Sequence, residues 1–385
     1  MKKILVVISH YLPGYKAGGP IRTVASMVEG LGDELAFYVL TADRDLGENQ
    51  PYPSIIRRSW QTVGKAQVRY LSPRERNPLA LRRLLNSLDY DLIYFNSFFS
   101  PLTIMILLLR RLGWIVERPV VLAPRGEFSP GALNLKWLKK RLYIALARRL
   151  GLYRRLTWHA STADEARHLQ ATLGPLDGWP LPVRVAANLP SVYPNGAVTS
   201  GRPVKRPGEA RFIFLSRIAR KKNLDVALKL LAHVDGRVQF DVYGPVEDPS
   251  YWHDCQGLMT HLPPNVKVKY GGEVRHEDVL ATFSQYHLFL FPTRGENFGH
   301  VILEALAAGC LALISDQTPW RGLQGEQVGW DIPLNDPRAF TAALREVVYM
   351  DNHTFEQRSG LARAYAERIR RDPAVLESNR RLFMD

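Results

Sequence analysis

Residues 287–309 constrain this chain more than any other stretch. The apolar run His287-Leu-Phe-Leu-Phe291 has the length and composition of a buried strand, and the residues after it run as a helical pattern closed by Gly309. Glu304 is the only charge between Val301 and Ala308. A lone buried carboxylate costs on the order of several kcal/mol unless a partner answers it. Glu296 stands eight residues earlier, in the loop that opens the helix. Eight helical residues rise roughly 12 Å, the length of an elongated ligand. Between the two acids lie the unpaired N–H groups of a helix N-terminus, a natural seat for phosphate. Two hydroxyl-binding acids flanking an anion seat suggest a nucleotide-sugar pocket. The plainer alternative is a capped core helix with one salt-bridged glutamate.

A second segment points the same way. Arg211-Phe-Ile-Phe-Leu-Ser216 reads as a strand, and Arg217-Ile-Ala-Arg-Lys-Lys222 places four cations in six residues at its end. Cations at the C-terminal end of a strand suit a diphosphate cradle in an α/β sheet. Taken alone, the cluster also fits a solvated turn.

Together these residues resemble the signature of glycosyltransferase family 4 on the GT-B fold. The Arg-Ile-x-x-x-Lys run, the two glutamates of Glu296 and Glu304, and the trailing Glu-Ala-Leu-Ala-Ala-Gly carry the likeness, strongest over 210–320. In the first half, Gly18-Gly19-Pro20 and Leu122-Ala-Pro-Arg-Gly126 are similar to a subgroup of bacterial surface-polysaccharide transferases.

The resemblance implies two doubly wound Rossmann-like α/β domains facing across a cleft. Arg217 and Lys222 would hold the donor diphosphate and stabilise its leaving charge, with Lys221 an adjacent alternative. Glu304 would accept from the ribose hydroxyls and Glu296 from the sugar, with the amides of Asn297, Phe298 and Gly299 close by. Val274, after Gly271-Gly272, would read the base edge. Gly18 and Gly19 would lie near the diphosphate and acceptor, although an ordinary strand-to-helix turn explains them too. Arg125 replaces a histidine that several family members carry against the transferred sugar. Glu127 is a candidate for acceptor hydroxyls. His300 is kept as a donor-site neighbour, and His159 reads as structural. The family's chemistry is retaining. A retaining glycosidase needs two carboxylates about 5 Å apart, whereas Glu296 and Glu304 are spaced for binding. With Arg217 and Lys222 in the place of a divalent cation, neither metal nor cofactor is expected.

The 385 residues suffice for two domains. By the resemblance we expect a first, acceptor-side domain over 1–190 that includes Arg125 and Glu127, a second, nucleotide-sugar-binding domain over 205–350, and a helical segment over 351–385 that crosses back to the first. The Pro- and Gly-rich stretch 188–211 reads as the linker. Strands are expected near Lys3–Ser9, Leu35–Thr41, Val68–Leu71, Leu92–Asn96, Val120–Pro124, Thr157–Ser161 and Val183–Ala187. In the second half they are expected near Arg211–Ser216, Val238–Tyr243, Val266–Tyr270, His287–Pro292 and Leu311–Ser315. Two cysteines give no disulfide framework, and no segment reaches ~18 apolar residues.

Charge separates the halves. Residues 1–200 hold 27 Lys/Arg against 14 Asp/Glu, and 201–385 hold 24 against 23. The densest run, Lys136 to Arg155, has eight cations, no acid and interleaved aromatics. That composition suits an anionic membrane face, with a solubilised helix as the alternative; no nucleic-acid-binding motif accompanies it. The expected protein is cytoplasmic and peripheral on the inner membrane face, moving sugar from a nucleotide donor to a lipid-linked saccharide. The rivals are a soluble-acceptor transferase, a sugar-nucleotide epimerase on the same fold, and a non-enzymatic basic binding protein.

Overall fold

The structure is a computed structural model that describes residues 1–129, 132–133, 137–175, 181–191 and 202–384. Part of the expected linker (192–201) and Lys136 of the basic run lie outside the described residues. The chain divides into two compact units, one of residues 1–191 with 372–385 and one of 192–371.

The first unit is built on an eight-stranded sheet: β1 (Lys2–Val7), β2 (Leu35–Ala42), β3 (Trp60–Val63), β4 (Ala66–Leu71), β5 (Leu92–Asn96), β6 (Val120–Ala123), β7 (Leu156–Ala160) and β8 (Val183–Val185). Its order is β3-β4-β2-β1-β5-β6-β7-β8. Only β3 runs antiparallel, as a hairpin with β4. Alternation along β1 sends Ile4 and Val6 to one core and Leu5 and Val7 to another, so helices are required on both faces. They are α1 (Gly19–Leu31), α2 (Pro78–Ser87), α3 (Pro101–Arg111), α4 (Trp137–Arg149) and α5 (Ala163–Leu173). The C-terminal helix Pro373–Met384 joins the α1 side, where Phe383 is fully buried edge-on to Phe37 and Tyr94. From β1 the chain winds one way to β2, and from β5 the other way to β6. The loops after β1 and β5 therefore leave neighbouring strands at the same end, tied by Ser9 Oγ to Ser100 Oγ at 3.0 Å.

The second unit repeats this logic with six parallel strands: β9 (Glu209–Leu215), β10 (Arg237–Tyr243), β11 (Val266–Gly272), β12 (Leu288–Phe291), β13 (Leu311–Ser315) and β14 (Gly329–Ile332). Their order is β11-β10-β9-β12-β13-β14. The helices are α6 (Leu224–Leu231), α7 (Pro249–Thr260), α8 (Val279–Phe283), α9 (His300–Ala307), α10 (Pro337–Tyr349) and α11 (Asn352–Arg370). The segment expected over 351–385 is thus divided between the units: α11 belongs to the second and Pro373–Met384 to the first. Strand order reverses between β9 and β12, the place where ligands bind in open α/β sheets. Among the described residues, no helix is long and apolar enough to cross a membrane.

Candidate active site

The reversal at β9 and β12 brings two distant loops side by side. The β9 loop ends in a short 3-10 turn, Arg220–Lys222, and Asn223 takes the left-handed conformation (φ 63°) to enter α6. Asn223 then acts as a clasp. Its Nδ2 donates to the Pro292 carbonyl at 2.9 Å, and its Oδ1 accepts from Arg294 Nε at 2.9 Å. The Arg294 N–H donates to the Lys221 carbonyl at 2.9 Å.

That clasp sets Lys222 against Glu296. The Lys222 ammonium is ion-paired with the Glu296 carboxylate and lies 5.5 Å from the centre of the Phe291 ring. Lys222 is 9% exposed, whereas Lys221 is an exposed residue whose Cε lies beside Gly295. Spacing had favoured Lys222, and the structure places it against the expected carboxylate. Arg217, on the same loop, is half-buried and ion-paired with Glu247. Arg220 turns away to Asp248 and Asp254.

The loop after β12 is held from behind. Ser315 Oγ donates to the Thr293 carbonyl, and the Glu296 N–H donates to the Gln317 carbonyl at 3.1 Å. Trp320 Nε1 donates to the Phe298 carbonyl at 2.5 Å, and the Trp320 and His300 rings both pack on Phe298. Gly299 adopts φ 81°, where a Cβ would meet Ile302 at 2.8 Å, and this kink lets α9 start at His300. Asn297 and Phe298 are half-buried at the entrance to α9. Glu304 lies one turn into α9, eight residues on from Glu296, and is buried at 6%. Val274 follows the Gly271-Gly272 turn, whose Gly272 carbonyl accepts from the Gly244 N–H at 2.8 Å. Gly271, Gly244, Lys222 and Glu296 therefore follow one another along one edge of the sheet in strand order.

Gly18, Gly19, Arg125 and Glu127 belong to the first unit. Gly18 caps α1 at φ 72°, while Gly19 faces open space. Asp45 accepts from the Tyr15 and Lys16 N–H groups at 2.9 and 3.2 Å and so braces this loop. The Glu127 oxygens are committed locally, to Ser97 Oγ (2.6 Å) and the N–H groups of Phe98 (2.6 Å) and Phe99 (3.3 Å). Its burial raises its pKa above the usual carboxylate range. These bonds give Glu127 a loop-bracing part rather than open oxygens for an acceptor. Arg125 bonds to Tyr94, Asn96 and Asn188.

A cavity of about 490 Å³ opens elsewhere in the second unit, at the N-terminal ends of β9, β10 and β11. Arg211, Arg237, Asp241, Lys267 and Lys269 help to line it, and none of the expected site residues does. In a doubly wound sheet the chemistry belongs at the opposite ends of the strands, where the two loops meet. Sequence reasoning passed over Asn223, Arg294, Gln317 and Trp320. Their roles are set by contacts between segments far apart in the chain.

Residues 199–365, which fall in the second unit, match the family described as glycosyl transferases group 1. Among solved structures, sucrose-phosphate synthase from Thermosynechococcus elongatus superposes with a TM-score of 0.72 at 15% identity, covering 100% of this chain and 98% of that one. HepE of Anabaena, in complex with UDP and glucose, gives 0.69 at 15% identity over 99% and 98%. WaaG, a glycosyltransferase involved in lipopolysaccharide biosynthesis, gives 0.67 at 14% identity over 99% of both chains. No curated protein matches the chain significantly in sequence. The architecture is that of the GT-B glycosyltransferases, two Rossmann-like α/β units. The second of them carries the glycosyl transferases group 1 match.

Proposed function

We propose that the chain is a retaining family 4 hexosyltransferase. It would move a sugar from a nucleotide donor to a lipid-linked saccharide in surface-polysaccharide assembly. The observation that carries this reading is the meeting of Lys222 with Glu296 at the β9/β12 reversal, one helix N-terminus away from buried Glu304. A donor diphosphate entering there competes for the ammonium of Lys222 and the guanidinium of Arg217. Both acids now paired with those cations are then released, and Glu296 is free to accept from sugar hydroxyls. Cations fixed against the departing phosphate stabilise the charge that grows as the glycosidic bond breaks. The phosphate oxygen so exposed takes the acceptor proton on the same face, which retains the configuration. Glu304 accepts from the ribose hydroxyls, and Val274 meets the base. HepE, with its bound UDP and glucose, supports a nucleotide-sugar donor. No metal is assigned a step.

The membrane part of the proposal rests on α4. Leu138, Leu142 and Leu146 recur every four residues on this helix and are 67%, 71% and 53% exposed. Lys139, Arg141, Arg148 and Arg149 flank them, and the helix carries no acid. Lys140 instead fixes the helix to its unit, donating to the Ala132 carbonyl at 2.6 Å. Apolar side chains inserted between cations suit an anionic bilayer surface, each cation adding about 1 kcal/mol.

Thermal shift against UDP, GDP, ADP, dTDP and CMP tests the donor site. One diphosphate at 100 times its Kd stabilises by about 2.7 kcal/mol. A flat response to all five removes the donor assignment. Sedimentation with phosphatidylglycerol vesicles tests α4, and Leu138→Glu with Leu142→Glu abolishes co-sedimentation. Full binding by that variant removes the membrane clause.

A further inference from the structure

The C-terminal edge of the first sheet holds a cation that no acid among the described residues neutralises directly. Arg125 follows β6 in a left-handed conformation (φ 55°), and its side chain reaches β5 and the segment beyond β8. Its Nε donates to Asn96 Oδ1 at 3.0 Å and Nη1 to Asn188 Oδ1 at 2.6 Å. Nη2 donates to the Tyr94 hydroxyl at 2.5 Å and to Asn96 Oδ1 at 2.9 Å. Every one of these acceptors is a neutral oxygen.

The partners behind them are neutral too. His159 Nε2 meets the Ala186 carbonyl at 2.8 Å, so that nitrogen carries the hydrogen. Its Nδ1 therefore accepts from the Tyr94 hydroxyl at 2.7 Å, leaving the Tyr94 oxygen to accept from Arg125. Burial, with Arg125 nearby, pushes the His159 pKa down to about 3 and keeps the ring uncharged. Two acids lie close in the fold, and both are engaged elsewhere. Glu165 accepts from the Gly126 N–H and from Ser161 N and Oγ, and Glu127 from Ser97, Phe98 and Phe99.

Two donors remain beside this charge. A guanidinium has five N–H groups, and the bonds above use four, leaving one on Nη1 without a partner among the described residues. Because Asn96 Oδ1 accepts twice from Arg125, its Nδ2 must be the amide donor. That Nδ2 has no partner among the described residues, and Asn96 is only 2% exposed. Asn96 is also the last residue of β5, beside the β1/β5 reversal, where such sheets take ligands. An unmatched positive charge with two idle donors calls for an oxyanion.

We propose that Arg125 and Asn96 form the receptor for an anionic group, phosphate or carboxylate, on the acceptor saccharide. This rests on the reading of the first unit as the acceptor side. The acceptor is then an acidic or phosphorylated sugar rather than a neutral one.

The test is titration of the full chain, with its donor site filled by the stabilising nucleoside diphosphate, using glucose 6-phosphate, glucuronate and glucose. Wild type should prefer one of the anions over glucose by at least about tenfold. Phosphate and carboxylate are told apart by which anion wins. The decisive variant is Asn96→Asp, which gives Arg125 a counter-ion within the protein. If the cluster only ties strand ends together, Asn96→Asp leaves anion preference intact. If it is a receptor, the preference disappears while the melting temperature holds or rises. Should Asn96→Asp fold poorly, Asn96→Ala removes the idle donor without adding charge and should weaken the anion alone. Equal binding of glucose and both anions by wild type overturns the proposal, as does an unchanged preference in the variants. A nucleotide response without anion preference sinks this inference alone. Failure of every nucleotide to bind sinks the transferase reading first.

Discussion

Removing Lys222 should separate what the Lys222–Glu296 pair does for stability from what it does for chemistry. Both side chains are largely buried, 11% and 13% exposed. In Lys222→Ala the carboxylate keeps only Thr293 Oγ1, at 3.4 Å, among its described side-chain partners. Stranding one charge of a buried pair costs about 3–5 kcal/mol, and water reaching this loop edge places the loss near the low end. Replacing both charges in Lys222→Met/Glu296→Gln removes the stranded ion, so most of that loss should return. The coupling between the two sites should be about 2 kcal/mol. Urea unfolding of the wild type, the two single variants and the double variant measures it. Turnover should follow another course. With no ammonium against the leaving phosphate, Lys222→Ala and the double variant should both lose about 10²–10³ in kcat. Nucleoside diphosphate release in the presence of acceptor reads this directly. A double variant that recovers turnover along with stability would falsify the catalytic role and leave the pair purely structural. Near-wild-type stability in Lys222→Ala would refute the burial argument.

Glu304→Gln should fold normally yet bind the donor nucleotide about tenfold or more weakly, because a charge-assisted bond becomes a neutral one; unchanged affinity by calorimetry contradicts the ribose assignment. Gly244→Ala should unfold at markedly lower urea. Gly244 sits at φ 131°, and a Cβ there would lie 1.9 Å from the Ser216 carbonyl oxygen, prying β9 from β10 beside Arg217; an unshifted midpoint would show that the strands yield freely. Acid should weaken both units through His159 and His287, each held neutral with its pKa lowered to about 3 by burial. The unfolded chain takes up those protons below about pH 6.5, so the stabilisation is complete above that value and is lost as pH falls toward 3. By pH 5 each histidine should have cost about 2 kcal/mol. Equal melting temperatures at pH 7 and pH 5 would contradict this, and His159→Gln should reduce the pH slope.

The strands that were legible in sequence are those buried on both faces, such as Leu92–Asn96 and Leu288–Phe291, where an unbroken apolar run leaves little choice. Trp60–Val63 and Gly329–Ile332 were not. Each is only four residues long, and Gly329 looks like a strand breaker. It is required there because a Cβ would sit 2.0 Å from the Ala312 carbonyl oxygen. Lys222 and Glu296 could be chosen together because strand-end loops on either side of a reversal must meet. Glu127 shows the limit of such reasoning. Arg125 and Gly126 both take positive φ, which folds the chain back and brings the carboxylate to the Phe98 and Phe99 amides. No local pattern announces that turn. The neutral cage around Arg125 was equally hidden, since its acceptors come from β5 and, much later in the chain, from Asn188 beyond β8.

The placement of Pro373–Met384 has a consequence for biosynthesis. Phe383 fills the core beside Phe37 and Tyr94, and Asn379 donates to the Ala187 carbonyl at 2.7 Å. A ribosome finishes the first unit's sheet early, but the wedge that seats Tyr94 is made only after the whole second unit. Until that helix is made, the nascent first unit has a gap beneath the tyrosine that holds Arg125. A chain cut short near residue 370 would keep all fourteen strands of the described residues and still lack that support. Quality control acting on such a truncated chain would find its weak point in the half that was translated first.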